Sequence, residues 1–296
     1  MAGQLKEVRN RIKSVQSTQQ ITKAMKMVSA AKLRRAQDAI IQMRPYANKL
    51  QELLSNIVSN AEGGDIGLDL AAERHVENVL VIVITSDRGL CGGYNSNISK
   101  LAKSMLEEKY PEQLKNGKVK VWGIGKKGTE FFQRRAYKVN TDYRDTFLHL
   151  SFPNVQLVAE AAVKAFTGKE FDVVELVYSQ FKNAATQIFK VERYLPIPKT
   201  PEKKGQKVSK ADFIFEPAKD LLIAELMPKI LNTQLFKAVL DANASEHGAR
   251  MTAMDKASEN AEDLIKALKI SYNRARQAAI TTELTEIVSG AAALEG

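Results

Sequence analysis

The chain has little of the residue types that build disulfide frameworks, metal-thiolate sites or membrane spans. Its 296 residues include one cysteine, Cys91, which excludes an internal disulfide and any zinc site built on several cysteines, and which fits a reducing compartment. Glycine (16) and proline (8) are scarce, and 44% of residues are hydrophobic, so collagen-like and wholly disordered chains are excluded. No apolar run reaches the roughly 18 residues of a membrane span, and the start, MAGQLKEVRNRIK, has no apolar core. We therefore expect a soluble protein without a secretory leader.

Positive charge is concentrated at the start of the chain. The formal net charge is +10, and residues 1–60 hold 11 Lys and Arg against 3 Asp and Glu. Such a surface attracts nucleic acid, anionic lipid or an acidic protein. Tyr46 is the only aromatic residue before Tyr94, so the side chains that stack on single-stranded nucleic acid are lacking. An acidic protein partner is the favoured interpretation.

Two long segments predict helices that a compact body cannot contain. Residues 4–59 have no glycine and one proline, Pro45, and residues 218–289 have one glycine, Gly248, and one proline, Pro228. As helices they would measure roughly 85 and 110 Å, against about 50 Å for a compact body of this length. The sequence thus divides into an N-terminal helix (1–60), a central domain (61–216) and a C-terminal helix (217–296). We expect the helices to extend beyond the central domain and to need a partner.

Heptad spacing predicts that the two terminal helices pair as an antiparallel coiled coil. The C-terminal seam consists of Met251, Met254, Ser258, Ala261, Ile265, Leu268, Tyr272, Ala275 and Ala279. The N-terminal seam consists of Val8, Ile12, Val15, Gln19, Thr22, Lys26, Ser29, Leu33, Ala36, Ile40 and Met43, while Ile21, Met25 and Val28 lie on a neighbouring face. A plain two-helix coiled coil and a coiled coil whose middle also faces a second partner both fit this pattern.

The central segment predicts a small parallel α/β sheet. The run Asn78–Ile84 is nearly all β-branched, as in a buried parallel strand. Further strands are predicted at 118–122, 137–141, 171–178 and 186–194, with helices at about 95–109, 127–135 and 154–167. Alternation of strand and helix indicates right-handed crossovers, and the last two strands, which have no helix between them, predict an antiparallel edge. The Pro- and Lys-rich residues 196–210 predict an exposed loop.

Two glycine-rich motifs raise the possibility of chemistry in the central domain. Gly123–Gly128 (GIGKKG) is a literal GxGxxG that could hold a dinucleotide pyrophosphate, although an ordinary strand–helix turn explains it better. No GxxxxGK[ST] motif is present. Cys91, in GLCGG, has the setting of a nucleophile elbow, but none of the three histidines has a recognisable context as its base. A Cys-dependent hydrolase and a nucleic-acid-binding coiled coil are therefore the alternatives to a non-enzymatic partner-binding protein.

Three segments carry a resemblance to a known family. Residues 12–37 (IKSVQSTQQITKAMKMVSAAKLRRAQ), 85–97 (TSDRGLCGGYNSN) and 246–294, which begin EHGARMTAMDKASENAEDLI, resemble the gamma subunit of F-type ATP synthases. The resemblance implies an antiparallel coiled coil of terminal helices with a central Rossmann-like parallel-sheet domain. It also implies a rotor that turns inside a hexamer of alpha and beta subunits and contacts the epsilon subunit and the membrane c-ring, with no nucleic acid bound.

Particular residues match contact positions of that family. By this resemblance, Arg276 and Gln277 form a polar catch to a beta subunit, Lys100 and Lys103 meet an acidic beta-subunit loop, and Met25 lies beside the same region. The family places Mg-ATP and the catalytic residues on the beta subunits, so no cofactor and no enzymatic activity are expected of this chain. The resemblance implies a peripheral protein on the cytoplasmic face of a bacterial inner membrane, coupling c-ring rotation to ATP synthesis and regulating ATPase activity and proton flow.

Overall fold

Six α-helices and five β-strands make up the described part of the chain. The computed structural model describes residues 2–59, 70–197 and 219–295. The helices are α1 (Ala2–Ser59), α2 (Tyr94–Lys109), α3 (Pro111–Lys115), α4 (Lys126–Gln133), α5 (Phe152–Thr167) and α6 (Lys219–Glu295), and the strands are β1 (Val79–Ile84), β2 (Val119–Ile124), β3 (Lys138–Asn140), β4 (Val173–Phe181) and β5 (Gln187–Leu195). Most of the predicted 196–210 loop and the predicted boundaries near 60 and 216 lie outside the described residues.

The chain divides into two compact units. Unit 1 comprises residues 1–30 and 250–296, and unit 2 comprises residues 31–249. Helices α1 and α6 each contribute to both units, since α1 is continuous over 58 residues and α6 over 77. Both helices contain one proline, Pro45 and Pro228, and both continue through it.

Unit 2 is built on a five-stranded sheet of order β3-β2-β1-β4-β5. Strands β1 to β4 are parallel, and β5 pairs with β4 in the antiparallel direction. The predicted strands, the three predicted helices and the antiparallel edge are therefore confirmed. Helix α3 and a 3-10 turn at Thr146–His149 were not predicted, because each is too short to show a hydrophobic period.

Apolar side chains of the central strand pack on both faces of the sheet. Residues Leu80, Ile82 and Ile84 belong to one core cluster, together with residues of α5 and of the 227–242 part of α6. Residues Val79, Val81 and Val83 belong to a second cluster, together with residues of α2 and α4. Successive residues of a strand point to opposite faces, so covering both faces explains the unbroken apolar run of β1.

The single tryptophan lies in the core of unit 2. Trp122 on β2 is 5% exposed. Its ring stands edge-on to Phe171, with centroids 6.5 Å apart, and lies 5.1 Å from the Tyr143 ring. Aromatic pairs of this geometry contribute about 0.5–1.5 kcal/mol beyond the area they bury.

A carboxylate is buried on the opposite face of the sheet. Glu175 of β4 is 1% exposed. It accepts hydrogen bonds from the Tyr110 hydroxyl at 2.8 Å and from Arg193 Nε at 3.1 Å. Burial, together with the nearby Glu175 charge, raises the pKa of Tyr110. The hydroxyl therefore stays protonated and remains a donor to the carboxylate.

Candidate functional site

The carboxyl ends of β1 and β2 are where a phosphate-binding loop would lie in a fold of this kind. Here the first backbone amides of α4 already have acceptors in the chain that follows β1. The Lys126 amide donates to Asp87 Oδ1 at 3.2 Å, the Lys127 amide to the Ser86 carbonyl at 3.0 Å, and the Gly128 amide to Thr85 Oγ1 at 2.8 Å. These are the donors that would otherwise hold a phosphate at a helix N-terminus.

Steric contact accounts for the glycines of the GIGKKG motif. Gly125 has a φ of +96°, and a Cβ there would lie 2.1 Å from the Thr85 carbonyl oxygen. A Cβ at Gly123 would lie 2.1 Å from Thr129 Oγ1, and one at Gly128 would lie 2.7 Å from Thr85 Cγ2. Each glycine thus permits the close approach of α4 to the ends of β1 and β2. The geometry matches the strand–helix turn that the sequence favoured.

The crevice at the topological switch point is crossed by the terminal helices. In open α/β sheets ligands bind outside the carboxyl ends of strands where the strand order reverses, here between β1 and β4. At the end of β4 the Ser179 carbonyl accepts the Ser245 hydroxyl of α6 at 3.1 Å, and the Phe181 carbonyl accepts Arg44 Nη2 of α1 at 2.9 Å. The Tyr94 hydroxyl donates to the Ala242 carbonyl at 2.9 Å. The carbonyl groups at the end of β4 are therefore used by side chains of α1 and α6.

Near the end of β4, α6 has a buried charged residue that the sequence analysis missed. Asp241 of α6 has a fully buried carboxylate, whose Oδ1 lies 3.3 Å from Arg44 Nη2. Burial raises the pKa of the Asp241 carboxyl above its ordinary value, and the Arg44 guanidinium opposes part of that rise. The available signal was one acidic residue within the mostly apolar residues 235–244, which lie before the predicted heptad seam.

The Cys91 thiol, which the sequence suggested as a possible nucleophile, is buried and not accessible to a substrate. Cys91 is 2% exposed, and its Sγ lies 3.2 Å from Asn95 Nδ2 and 3.8 Å from Ser86 Oγ. Asn95 also links back to Ser86, since its Oδ1 accepts the Ser86 amide at 3.0 Å. These contacts close the turn between β1 and α2. Among the described residues, no group of three or more His, Cys, Asp or Glu side chains has metal-binding geometry.

In unit 1, α1 and α6 pair in antiparallel register. The Arg9 guanidinium donates to the Tyr272 hydroxyl at 2.9 Å, and the Thr22 and Ser258 hydroxyl oxygens lie 2.7 Å apart. The helices run in opposite directions, so the residue numbers of two paired positions add up to about 281 throughout. Predicted seam positions are buried or half-buried along both helices, which confirms the antiparallel coiled coil.

The middle of this seam is polar. Thr22 and Ser258 are 8% and 6% exposed, and Gln19 Nε2 reaches the Ser258 carbonyl at 3.5 Å. Lys26 Nζ lies 2.5 Å from Asp255 Oδ1, with both side chains more than 40% exposed. Exposed ion pairs of this kind stabilise by about 0–1 kcal/mol. Apolar side chains remain beside the seam, as Ile21 and Val28 are 59% and 57% exposed.

Helix α6 continues past the start of α1. Given the register, Ala2 lies opposite position 279, so residues 283–294 have no α1 segment opposite them within the described chain. All twelve are exposed, including Leu284, Ile287, Val288 and Leu294 at 58%, 68%, 67% and 90%. An apolar surface of this kind marks a contact with another molecule.

The residues singled out by the resemblance lie on helix surfaces. Arg276 and Gln277 are exposed on α6, and neither side chain has a hydrogen bond or ion pair within the described chain. Met25 is half-buried on α1, opposite position 256 in the register. The 20 residues between that position and Arg276 correspond to about 30 Å of helix. The structure therefore does not bring Met25 and Arg276 together.

The two lysines lie on the surface of unit 2. Lys100 is exposed on α2, without an ion pair to any residue that the structure describes. Lys103, one turn later, lies 3.4 Å from Glu107 in a solvent-exposed pair. Pairs of this kind are weak, so both ammonium groups can be drawn to an acidic partner.

Comparison with known proteins places these features in a family. The pattern that defines the ATP synthase family, ATP-synt, matches residues 4–294. The ATP synthase gamma chain of Cytophaga hutchinsonii is 52% identical over 297 residues, covering 98% of each chain, and that of Flavobacterium johnsoniae is 51% identical over 292 residues, covering 99% of each. That of Chlorobium phaeobacteroides is 50% identical over 294 residues, again covering 99% of each.

Solved structures share the fold. A chain of the Euglena gracilis mitochondrial ATP synthase (OSCP/F1/c-ring) superposes with a TM-score of 0.66 at 20% identity, covering 99% of this chain and 95% of that one. A chain of the Tetrahymena thermophila mitochondrial ATP synthase central stalk and c-ring superposes with a TM-score of 0.55 at 24% identity, covering 80% and 99%. No helix in the described ranges is long and apolar enough to cross a bilayer.

Proposed function

Because this chain belongs to the ATP synthase gamma-chain family, we propose that it is the central-stalk rotor subunit of a proton-translocating F-type ATP synthase. The observation that carries this proposal is the antiparallel pair of unit 1, with its polar seam and its exposed α6 end. A coiled coil that only had to hold itself together would have Leu or Ile at those seam positions. A pair with this surface gains stability from a surrounding partner.

In this proposal unit 1 lies inside the hexamer of alpha and beta subunits, and unit 2 contacts the epsilon subunit and the c-ring. Rotation of the c-ring turns the chain, and its asymmetric surface changes nucleotide affinity at each beta-subunit site in sequence. After Arg276 the chain has no basic residue. An end with few charges suits rotation, since strong ion pairs would hold one angle in preference to others.

Three sets of side chains make the contacts that set the angle. Arg276 and Gln277 bind a beta subunit transiently, with polar groups that have no partner in the described part of the chain. Lys100 and Lys103 attract an acidic beta-subunit loop, and Met25 contributes an apolar contact near it. Contacts of this kind form and break once per beta subunit in each turn. They also give the chain its part in regulating ATP hydrolysis and proton flow.

The chain contributes no catalytic group of its own in this mechanism. The α4 amides that could hold a phosphate bond to Thr85, Ser86 and Asp87, which supports assigning Mg-ATP chemistry to the beta subunits. The chain acts as a peripheral protein on the cytoplasmic face of a bacterial inner membrane, attached through the c-ring.

Reconstitution tests the proposal. Alpha, beta, epsilon and membrane subunits of a relative are assembled in vesicles with or without this chain, and ATP hydrolysis and acidification of the vesicle interior are measured. We expect ATP-driven acidification only when the chain is present. Assembly and hydrolysis without any acidification, or failure of the chain to enter the complex, would contradict a rotor role.

A further inference from the structure

One arginine joins three elements of unit 2. Arg44 of α1 donates through Nη2 to the Phe181 carbonyl at the end of β4, at 2.9 Å, and the same nitrogen lies 3.3 Å from Asp241 Oδ1 of α6. A guanidinium nitrogen has two hydrogens, so both bonds can form together. The two long helices and the central sheet are therefore linked through one planar group.

Stability alone does not explain this ion pair. The Asp241 side chain is fully buried, and its second oxygen, Oδ2, has no hydrogen-bond partner within the described residues. A buried carboxylate carries a desolvation cost, and burial still raises the pKa of Asp241 although Arg44, the Phe181 backbone and the charge of Lys237 all lower it. Apolar residues of similar volume at such sites are often no less stabilising. The pair therefore requires a reason other than the energy of folding.

The contacts around the ion pair are apolar and have no preferred hydrogen-bond direction. On α1 the flanking apolar residues include Ile40, Ala47 and Leu50, and on α6 they include Ala238 and Ala242, all buried. Apolar attraction is non-directional, so it does not by itself favour one angle between these helices and the strand, although close packing resists large shifts. A charged hydrogen bond has a preferred length and angle and resists a change of either.

We propose that Arg44 and Asp241 form the mechanical junction through which torque passes between the α/β sheet and the two terminal helices. This proposal rests on the rotor function proposed above. Arg44 acts as a positioning residue, because it holds the α1 and α6 backbones at a fixed angle to the end of β4 and touches no substrate. Ser245 of α6, which donates to the Ser179 carbonyl at 3.1 Å, supports the same end of the strand.

The test separates the effect of the Arg44 hydrogen bonds on torque transfer from their effect on the stability of the fold. The double variant Arg44→Met with Asp241→Leu removes both charges together and leaves no buried charge unpaired, so it should fold and assemble. In the reconstituted complex we expect it to retain most ATP hydrolysis, while protons pumped per ATP hydrolysed fall about threefold or more, since charged hydrogen bonds are the strong directional contacts. The conservative single variant Arg44→Lys, which keeps a donor and a charge beside Asp241, should retain much of the number of protons pumped per ATP.

The controls make each outcome informative. Arg134→Met removes an exposed arginine of unit 2 that has no side-chain ion pair among the described residues, and it should leave the ratio unchanged. A double variant that pumps as many protons per ATP as the unmodified chain would overturn the junction, as would a double variant in which hydrolysis and pumping fall in proportion. Failure of the unmodified chain to support pumping would instead contradict the rotor function.

Discussion

Gly125 determines the path of the chain into α4. Its φ of +96° is a conformation that side chains with a Cβ rarely adopt, and an added Cβ would approach the Thr85 carbonyl to 2.1 Å. The atom it would meet is main chain in the turn that leaves the central strand, and main chain yields less readily than a flexible side chain. The position therefore cannot relieve the contact by a change of rotamer.

We expect Gly125→Ala to destabilise the chain by about 2–5 kcal/mol, from backbone strain and overpacking together. The measurement is chemical denaturation of the isolated full chain. Gly89→Ala is the matched control, because an added Cβ there meets nothing within 4 Å. It should change stability by no more than about 0.5 kcal/mol. Equal effects of the two substitutions would show that the close approach of α4 is unimportant.

Arg276 should matter more for turnover than the residues of either glycine-rich motif. Its guanidinium is exposed and has no ion pair within the described chain, and it can hold a carboxylate in two parallel bonds. Hydrogen bonds to charged groups contribute about 1.5–3 kcal/mol, and other contacts persist, so Arg276→Ala should slow ATP hydrolysis and proton pumping by about three- to tenfold with assembly retained.

Two other substitutions provide the comparison for Arg276. Lys126→Ala with Lys127→Ala should change both rates much less, because the two side chains make only partly exposed ion pairs among the described residues and alanine keeps the backbone amides. Cys91→Ser should also have little effect, because the Cys91 side chain packs within the turn between β1 and α2. If either proves essential while Arg276→Ala has no effect, the contact inferred from the family is wrong and the central unit has a chemical role.

At the scale of elements, the two units differ in what stabilises them. The central strands are covered by apolar side chains on both faces, whereas the seam of unit 1 has polar residues, Gln19, Thr22 and Ser258, in its middle. Local opening is easier where few apolar contacts are lost. The paired helices should therefore open far more often than the sheet when no partner surrounds them.

Hydrogen exchange on the free chain measures this difference. We expect amides in 1–40 and 255–296 to exchange at least about a hundredfold faster than those of β1 and β4, since subglobal opening spans free energies from near zero up to that of global unfolding. Addition of the alpha–beta hexamer should slow the first group selectively. Uniform protection of helices and strands in the free chain would contradict the view that the seam is weak by itself.

Sequence pattern was sufficient for elements with a clear period and insufficient for isolated polar contacts. The seam from Val8 to Met43 and the buried run of β1 were predicted because hydrophobic spacing repeats along them. The register was not predicted, since heptads can pair at several offsets and contacts such as Arg9 with Tyr272 select one. The burial of Glu175 and Asp241 was also missed, because their partners lie far away in sequence.

At the scale of the whole molecule, the chain has the topology of a nucleotide-binding fold with its binding edge used for internal contacts. Amides of α4 bond to the end of β1, and side chains of α1 and α6 bond to the end of β4. A dinucleotide would have to displace these bonds. In the function proposed above, the basic excess of residues 1–60 is a surface for protein partners.

The isolated chain should accordingly show no saturable Mg-ATP binding below about millimolar concentration, because no free phosphate-binding amides remain at α4. Isothermal calorimetry on the full chain provides the measurement. A micromolar dissociation constant that is lost in Lys126→Ala with Lys127→Ala would reverse this conclusion and assign a ligand to the GIGKKG turn.

The position of Trp122 has a practical consequence for spectroscopy. It is the sole tryptophan, it is 5% exposed, and it belongs to the sheet unit. Its fluorescence thus reports unit 2, whose core includes part of α6, while far-ultraviolet circular dichroism is dominated by the 58 and 77 residues of the two long helices. Coincidence of the two signals is a test of two-state unfolding. With both followed in one titration, melting of the paired helices of unit 1 becomes visible as a transition that the indole does not share.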